Sequence, residues 1–305
     1  MSHSHHHRSH DHSHHHHEHS SGNYGTAFII GITLNLAYIV LEVVFGLQAD
    51  STALLADAGH NTGDVLSLVF SWVAIKLSLW KPSGRYTYGL RRTTILVALL
   101  NTIMLFIAVA LIVYEAIKHL QHPEPVVGTT IIVIALTGVV VNTISALLFM
   151  KGHGHDLNIK AAFIHMASDA LVSLGVVVAG VLINYTGYLW IDPVCSFVIA
   201  AIILYSSWRL FSDALKLVLD AVPEGIDIAE VKAYLNNIEG VQQVHDLHVW
   251  AMSTTQTALT AHLVVPATTG DDFLHRINHG LRERFHISHS TIQIDRALTA
   301  DCEKC

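Results

Sequence analysis

Two short stretches carry side chains that belong to chemistry. "ADAGHNTGDVLSLVF" sets His60 four residues before Asp64, and "KAAFIHMASDALVSLGVV" repeats the spacing with His165 and Asp169. Helical side chains three and four apart share a face, so each histidine projects with its aspartate. Ser67 and Ser71 continue the first polar stripe and Ser173 the second. Both pairs lie in runs apolar enough to cross a bilayer, where one charged side chain costs about 2.5–3.5 kcal/mol on the insertion scale. No arginine or lysine stands beside either pair to neutralise the carboxylates, so the missing charge is most simply an ion. Two imidazole nitrogens and two carboxylate oxygens form a four-coordinate shell suited to Zn²⁺, and also to Co²⁺ or Cd²⁺. Mg²⁺ or Mn²⁺ would ask for an oxygen-rich octahedron. The plainer alternative leaves each histidine paired with its own aspartate as a polar contact between helices. Shared ligation makes the two helices neighbours. Asp57, one turn before His60 and near the membrane edge, reads as a cap or gate residue. Asn35 and Glu42 in the first apolar run and Asn142 in the fourth line a pathway or bond between helices.

The elements that must position these groups are membrane helices. The chain has 305 residues, 51% hydrophobic and 13% charged, and a mean hydropathy of +0.45, against about 25% charged in soluble proteins. Bilayer thickness demands roughly 20 apolar residues per span. Six runs qualify: 25–47, 52–79, 93–119, 126–150, 159–184 and 189–211. Lys76, Lys81, Arg85, Arg91, Arg92, Lys151 and Lys160 flank the 2–3 and 4–5 connections, whereas the opposite loops hold essentially only Lys118. The positive-inside rule puts those loops and both termini in the cytoplasm. The compact chain points to a bacterial inner membrane. The net charge of −7 gives no nucleic-acid-binding reading, and no nucleic-acid partner is expected; the 24 histidines make the true charge depend on pH. The N-terminus lacks the apolar core of a signal peptide, so the first run is expected to stay as an anchor.

Beyond residue 212 the pattern changes. "DIAEVKAYLNNIEGV" reads as an amphipathic helix, "VHDLHVWAM" and "TALTAHLVVP" as strands, "DDFLHRINHGLRERF" as a helix and "STIQIDRA" as a strand. This αββαβ order predicts a small α+β domain with helices on one face of a sheet. Three segments follow: a low-complexity tail over 1–22, a six-helix transmembrane domain over 23–212, and a cytoplasmic metal-binding domain over 213–305. Leu259, Ala261 and Leu263 are expected to face the core, leaving Thr260 and His262 on the other side. His245, His248, His262, His289 and Asp295 lie on or beside predicted strands, close enough in a small sheet to build a zinc site. Cys302 and Cys305, spaced C-x-x-C, form half of a thiolate site. With Cys195 they are the only cysteines, too few for a disulfide framework. The tail carries 11 histidines between His3 and His19 and reads as a metal collector. His153 and His155 in "KGHGHDLN" are placed to pass metal to the pore mouth.

The sequence resembles the cation diffusion facilitator family, specifically its zinc-transporting members. The resemblance runs from about residue 25 to 297 through "LLADAGHNTGD", "YTYGLRRTTILVALLN", "GHGHDLNIKAAFIHMASDALVSLGVV", "WIDPVCSFVIA", "VHDLHVWAMS" and "STIQID". It implies a homodimeric, proton-coupled exporter of divalent metal with six helices and a cytoplasmic domain of copper-chaperone, ferredoxin-like fold. The family's transport motif falls on His60, Asp64, His165 and Asp169. A histidine at the first position resembles the zinc-preferring version, where an aspartate broadens metal choice. Some members carry an Asp/His site between helices 2 and 3; "KPSGRYTYGLRR" supplies no such cluster. By resemblance, His245, His262, His289 and Asp295 match family ligand positions and His248 is structural. In members with a comparable tail, the N-terminal segment of the dimer mate completes the cysteine site. The rival readings are a membrane metal sensor without flux and an intramembrane zinc enzyme. An enzyme would keep an open coordination position and a nearby general base.

Overall fold

The computed structural model describes residues 24–48, 52–121, 129–150, 152–154, 156–188, 190–265 and 271–297. Six long helices come first: α1 Tyr24–Gln48, α2 Thr52–Ser78, α3 Thr93–Gln121, α4 Thr129–Phe149, α5 Leu157–Thr186 and α6 Ile191–Val218. Apolar residues predominate in each, and in lipid only a helix or closed barrel satisfies its own backbone. Among the described residues, five are long and apolar enough to cross a membrane: Gly25–Gln48, Thr93–Gln121, Ile132–Phe149, Leu157–Thr186 and Pro193–Val218. The expected sixth, α2, has 27 residues but falls short of that apolarity, because His60, Asn61 and Asp64 interrupt it. The apolar run expected to end at Phe211 continues as helix to Val218 through Asp213 and Lys216, groups that suit water rather than lipid.

The bundle encloses polar groups beside its apolar core and turns large apolar side chains outward, the inverse of a soluble surface. Asn35, Glu42, Asn61, Asp64, Ser71, Asn101, Asn142, His165 and Asp169 are buried, while Leu36, Val40, Leu96, Ile107, Leu111 and Val140 are each more than half exposed. That inversion suits a lipid surround. Helix α5 packs against α2, α3, α4 and α6, and α1 packs against α2 and α4, so the helix carrying His165 and Asp169 stands centrally. Asp156 N-caps α5 from extended backbone, its carboxylate accepting from the Asn158 amide at 2.7 Å. Gly187 closes the helix at φ 74°, donating its amide to the Ile183 carbonyl, a left-handed position that glycine takes without a Cβ penalty.

The C-terminal domain follows as α7 Ile228–Asn236, β1 Gln243–Ser253, β2 Gln256–Val264, α8 Asp271–Phe285 and β3 Ile287–Asp295, the expected order. The sheet runs β1-β2-β3, with β1 and β2 antiparallel and β2 and β3 parallel. Val231 and Leu235 of α7, Phe273, Ile277 and Leu281 of α8, and Leu259, Ala261 and Leu263 of β2 form one core, which leaves the opposite sheet face open. A bulge between His245 and His248 places Asp246 at φ 49° and switches the buried parity of β1 from Val244 to Val249.

Leu259→Ala should cost the domain roughly 2–5 kcal/mol, because Leu259 is fully buried. Thr260→Ala, on the open face, should stay within about 0.5 kcal/mol. Hydrogen exchange of the β2 amides measures both, and equal protection in the two variants would contradict this packing.

Candidate metal centres

The first centre forms where α2 meets α5. His165 Nε2 lies 2.7 Å from Asp64 Oδ1 and 3.9 Å from Asp169 Oδ2; His60 Nε2 lies 3.7 Å from Asp64 Oδ2 and 3.9 Å from Asp169 Oδ1. Each histidine thus touches both aspartates across the helix interface. Asp64, His165 and Asp169 are buried, and His60 is about one third exposed. His60, Asp64 and Asp169 each offer a ligand atom within 4.8 Å of the other two. Ligand atoms around a tetrahedral zinc stand roughly 3.4 Å apart, given bonds of about 2.1 Å. Three of the four separations lie near that edge length, and the fourth is a hydrogen bond that must lengthen to admit an ion. Asp64 Oδ2 is buried and accepts no hydrogen bond among the described residues, an acceptor suited to a cation.

Neighbouring polar groups fix the helices around this centre. Asn61, next to His60, donates to both carboxylate oxygens of Glu42 at 3.0 and 2.9 Å, tying α2 to α1. Asn101 donates to Ser71 Oγ at 2.7 Å, tying α3 to α2. Asn35 donates to Ser145 Oγ at 3.1 Å and contacts Met166 Sδ at 3.6 Å, joining α1 to α4 and α5. Asn142 is buried in α4, and its Oδ1 accepts no hydrogen bond among the described residues. Such bonds between helices hold a bundle that lacks a hydrophobic drive for association.

The second centre lies on the open face of the C-terminal sheet. His245 and His262 are cross-strand partners with ring centroids 5.1 Å apart. Asp295, opposite Val264 on β3, brings Oδ2 to 3.0 Å from His245 Nε2 and 3.4 Å from His262 Nδ1. These three residues also offer ligand atoms within 4.8 Å of one another. His245 Nε2 and Asp295 Oδ2 are buried and face each other, a nitrogen and an oxygen placed as ligands that suit an ion. Sequence reading missed Asp246. Its carboxylate meets His248 Nε2 at 2.8 Å and His262 Nε2 at 3.3 Å, because the bulge aims it across the strand.

His289 is not brought to that cluster. It pairs with Ala258, six residues along β2 from the partner of Asp295, or roughly 20 Å at strand rise, and its ring stands edge-on to Tyr88. Parallel pairing of β3 sends its two ends to opposite ends of β2, so strand membership alone does not make neighbours. His153 stacks on Phe163 and bonds the Met150 carbonyl. The side chain of Asp57, and His155, Cys302, Cys305 and the histidine-rich residues 1–22, lie outside the described residues.

Two family descriptions match the chain. "Cation efflux transmembrane domain" covers residues 28–219 and "Cation efflux protein, cytoplasmic domain" covers residues 223–297. The zinc transporter ZitB of Escherichia coli is 37% identical over 271 residues, spanning 88% of this chain and 86% of that protein. The cadmium, cobalt and zinc/H(+)-K(+) antiporter of Bacillus velezensis is 33% identical over 284 residues, 91% of this chain and 90% of that protein. The metal cation efflux system protein CzcD of Cupriavidus metallidurans is 32% identical over 277 residues, 90% of this chain and 87% of that protein.

Asp295 is held below the ordinary carboxylate range, chiefly by the Gln293 amide that donates to its Oδ1 at 3.0 Å; His262 and His245 add to this against the opposing effect of burial. A lowered value means that the stabilisation is complete above the ordinary carboxylate pKa of about 3.9 and is lost as pH falls through the folded value. Carboxyl NMR of the metal-free protein should place the Asp295 midpoint below that value, and Gln293→Ala should raise it. An unchanged midpoint in Gln293→Ala would contradict the assignment.

Proposed function

The chain belongs to the cation efflux family, the cation diffusion facilitators, and we propose that as such a multi-pass transporter it exports Zn²⁺ from the cytoplasm in exchange for protons, through His60, Asp64, His165 and Asp169. The observation that carries this reading is the crossed set of contacts between α2 and α5, in which each histidine meets both aspartates inside an apolar bundle. Two nitrogens and two oxygens suit Zn²⁺, with Cd²⁺ and Co²⁺ as further cargo. Metals of that set appear in the names of the Bacillus velezensis and Escherichia coli relatives, and the former is named an antiporter. In this reading α2 is the sixth span, tolerated in lipid because its polar stripe faces α1, α3 and α5. The transmembrane domain covers 23–212, and the final turns of α6 emerge beyond it into the cytoplasmic domain of 213–305. Both termini are cytoplasmic, the membrane is a bacterial inner membrane, and the cytoplasmic domain pairs two copies of the chain.

The hydrogen bond between His165 Nε2 and Asp64 Oδ1 suggests the coupling. One proton bridges those atoms when no metal is bound, and Zn²⁺ requires the same lone pairs. Facing the cytoplasm, the four groups release protons and take metal; facing outward, protons return and displace it. One pH unit supplies about 1.4 kcal/mol per proton, so one-for-one exchange supports roughly tenfold accumulation outside. His245, His262 and Asp295, with Asp246 beside them, form a regulatory or structural zinc site. His289, Cys302 and Cys305 contribute to metal binding through the second copy, whose N-terminal segment completes the cysteine site. His153 and His155 deliver metal to the cytoplasmic mouth, and Asp57 gates it.

Proteoliposomes with an internal zinc dye and an imposed pH gradient test the reading. The native chain should move zinc, and Asp169→Ala should not; full flux in Asp169→Ala would overturn the assignment. His60→Asp replaces a nitrogen ligand with oxygen and should raise cadmium flux relative to zinc in the same vesicles. An unchanged ratio would remove His60 from the metal shell.

A further inference from the structure

The β1–β2 hairpin ends in a turn at Thr254 and Thr255, and this turn sits between the first turns of α3 and α5. The Thr254 amide donates to Thr94 Oγ1 at 3.1 Å, and the Thr254 hydroxyl donates to Asp156 Oδ2 at 3.0 Å. Asp156 is also the N-cap of α5, where Oδ1 accepts from the Asn158 amide at 2.7 Å. The buried Asn158 side chain donates in turn to the Thr94 carbonyl at 3.0 Å. Thr94 and Asn158 are both almost wholly enclosed.

One carboxylate therefore serves two structures. Its first oxygen satisfies an orphan amide at the start of α5, and its second holds the cytoplasmic hairpin. Displacing the start of α5 breaks one bond or the other. The helix continues unbroken from Leu157 to Thr186. At about 1.5 Å per residue, His165 and Asp169 stand roughly 13 and 20 Å along the same rod from the cap. The other end of the hairpin carries His245 and His262 as a cross-strand pair. Burial pushes the Asp156 carboxyl above its usual range, and the bonds from Asn158 and Thr254 oppose that shift.

We propose that Thr254 is a positioning residue for transport: by bonding Asp156 it fixes the entry of α5 and so the placement of His165 and Asp169 against α2. The cytoplasmic domain is then a working part of the transport machinery, pinned to the helix that supplies half of its ligands. The proposal rests on the transport reading above for its flux arm and on the structure alone for its exchange arm.

The test compares full-length native protein with Thr254→Val, Thr254→Ser, Asp156→Asn and the Thr254→Val/Asp156→Asn double variant. Hydrogen exchange over residues 157–165 is read in detergent, and zinc flux in proteoliposomes. Thr254→Val should raise exchange and lower maximal flux roughly fivefold each, the weight of one intramolecular hydrogen bond. Thr254→Ser keeps the hydroxyl and should restore both. The double variant should be no worse than the worse single variant, because both changes remove one contact. Unchanged exchange in Thr254→Val, or a Thr254→Ser variant as impaired as Thr254→Val, overturns the proposal. Faster exchange with native flux overturns it as well, since the contact would then hold α5 without serving transport. Should the native chain carry no zinc, the transport reading fails by that result, and the exchange arm alone decides whether Thr254 positions α5.

Discussion

Everything in the transmembrane bundle answers to one constraint: two carboxylates and one imidazole are buried between α2 and α5, with a second, partly exposed imidazole beside them and, among the described residues, no lysine or arginine paired with them. A charge unpaired in an apolar interior costs several kcal/mol, and truncating one partner of a buried pair leaves the other stranded. The crossed contacts remove that cost as a set. Asp64 leans on His165, Asp169 lies between both histidines, and Glu42 and Asn101 hold α2 in the rotation that makes this possible through Asn61 and Ser71. Under the proposed function, a proton or a cation bound there would offset the charge of the carboxylates. The proposed antiport exchanges one for the other at this site.

The two centres solve the same ligand problem on different scaffolds. In the bundle, the i, i+4 spacing of each helix supplies a pair, and the helix interface joins the pairs. In the C-terminal domain, one ligand comes from each of three strands, so register does the work that helical periodicity does in the membrane. The sheet centre is backed by a core of Leu259, Leu263, Ile277 and Leu281. The bundle centre straddles α2 and α5.

The helices, the two H-x-x-x-D pairs and the inward face of β2 are legible in the sequence because each depends on local periodicity. Leu259, Ala261 and Leu263 alternate with Thr260 and His262, and the fold buries the first set. What escapes is whatever depends on register or on contacts far along the chain. Asp246 reads as an ordinary strand residue until a bulge gives it positive φ and turns it toward His262. His289 sits among candidate ligands in sequence and far from them in space, since the offset of a parallel strand leaves no local signature. The last turns of α6, through Asp213 and Lys216, lose their apolar signal although the backbone remains helical. The joint between Thr254 and Asp156 spans 98 residues of chain, and neither residue type announces it.

Proton release on metal binding tests the central claim most directly. Zn²⁺ is titrated calorimetrically into the detergent-purified chain in buffers of different ionisation enthalpy, beside a chain carrying Asp64→Ala and His165→Ala together. The difference between the two isolates the bundle centre from the cytoplasmic sites. The account predicts that the native chain binds an additional zinc and releases at least one additional proton with it. Additional zinc bound without additional proton release would contradict it.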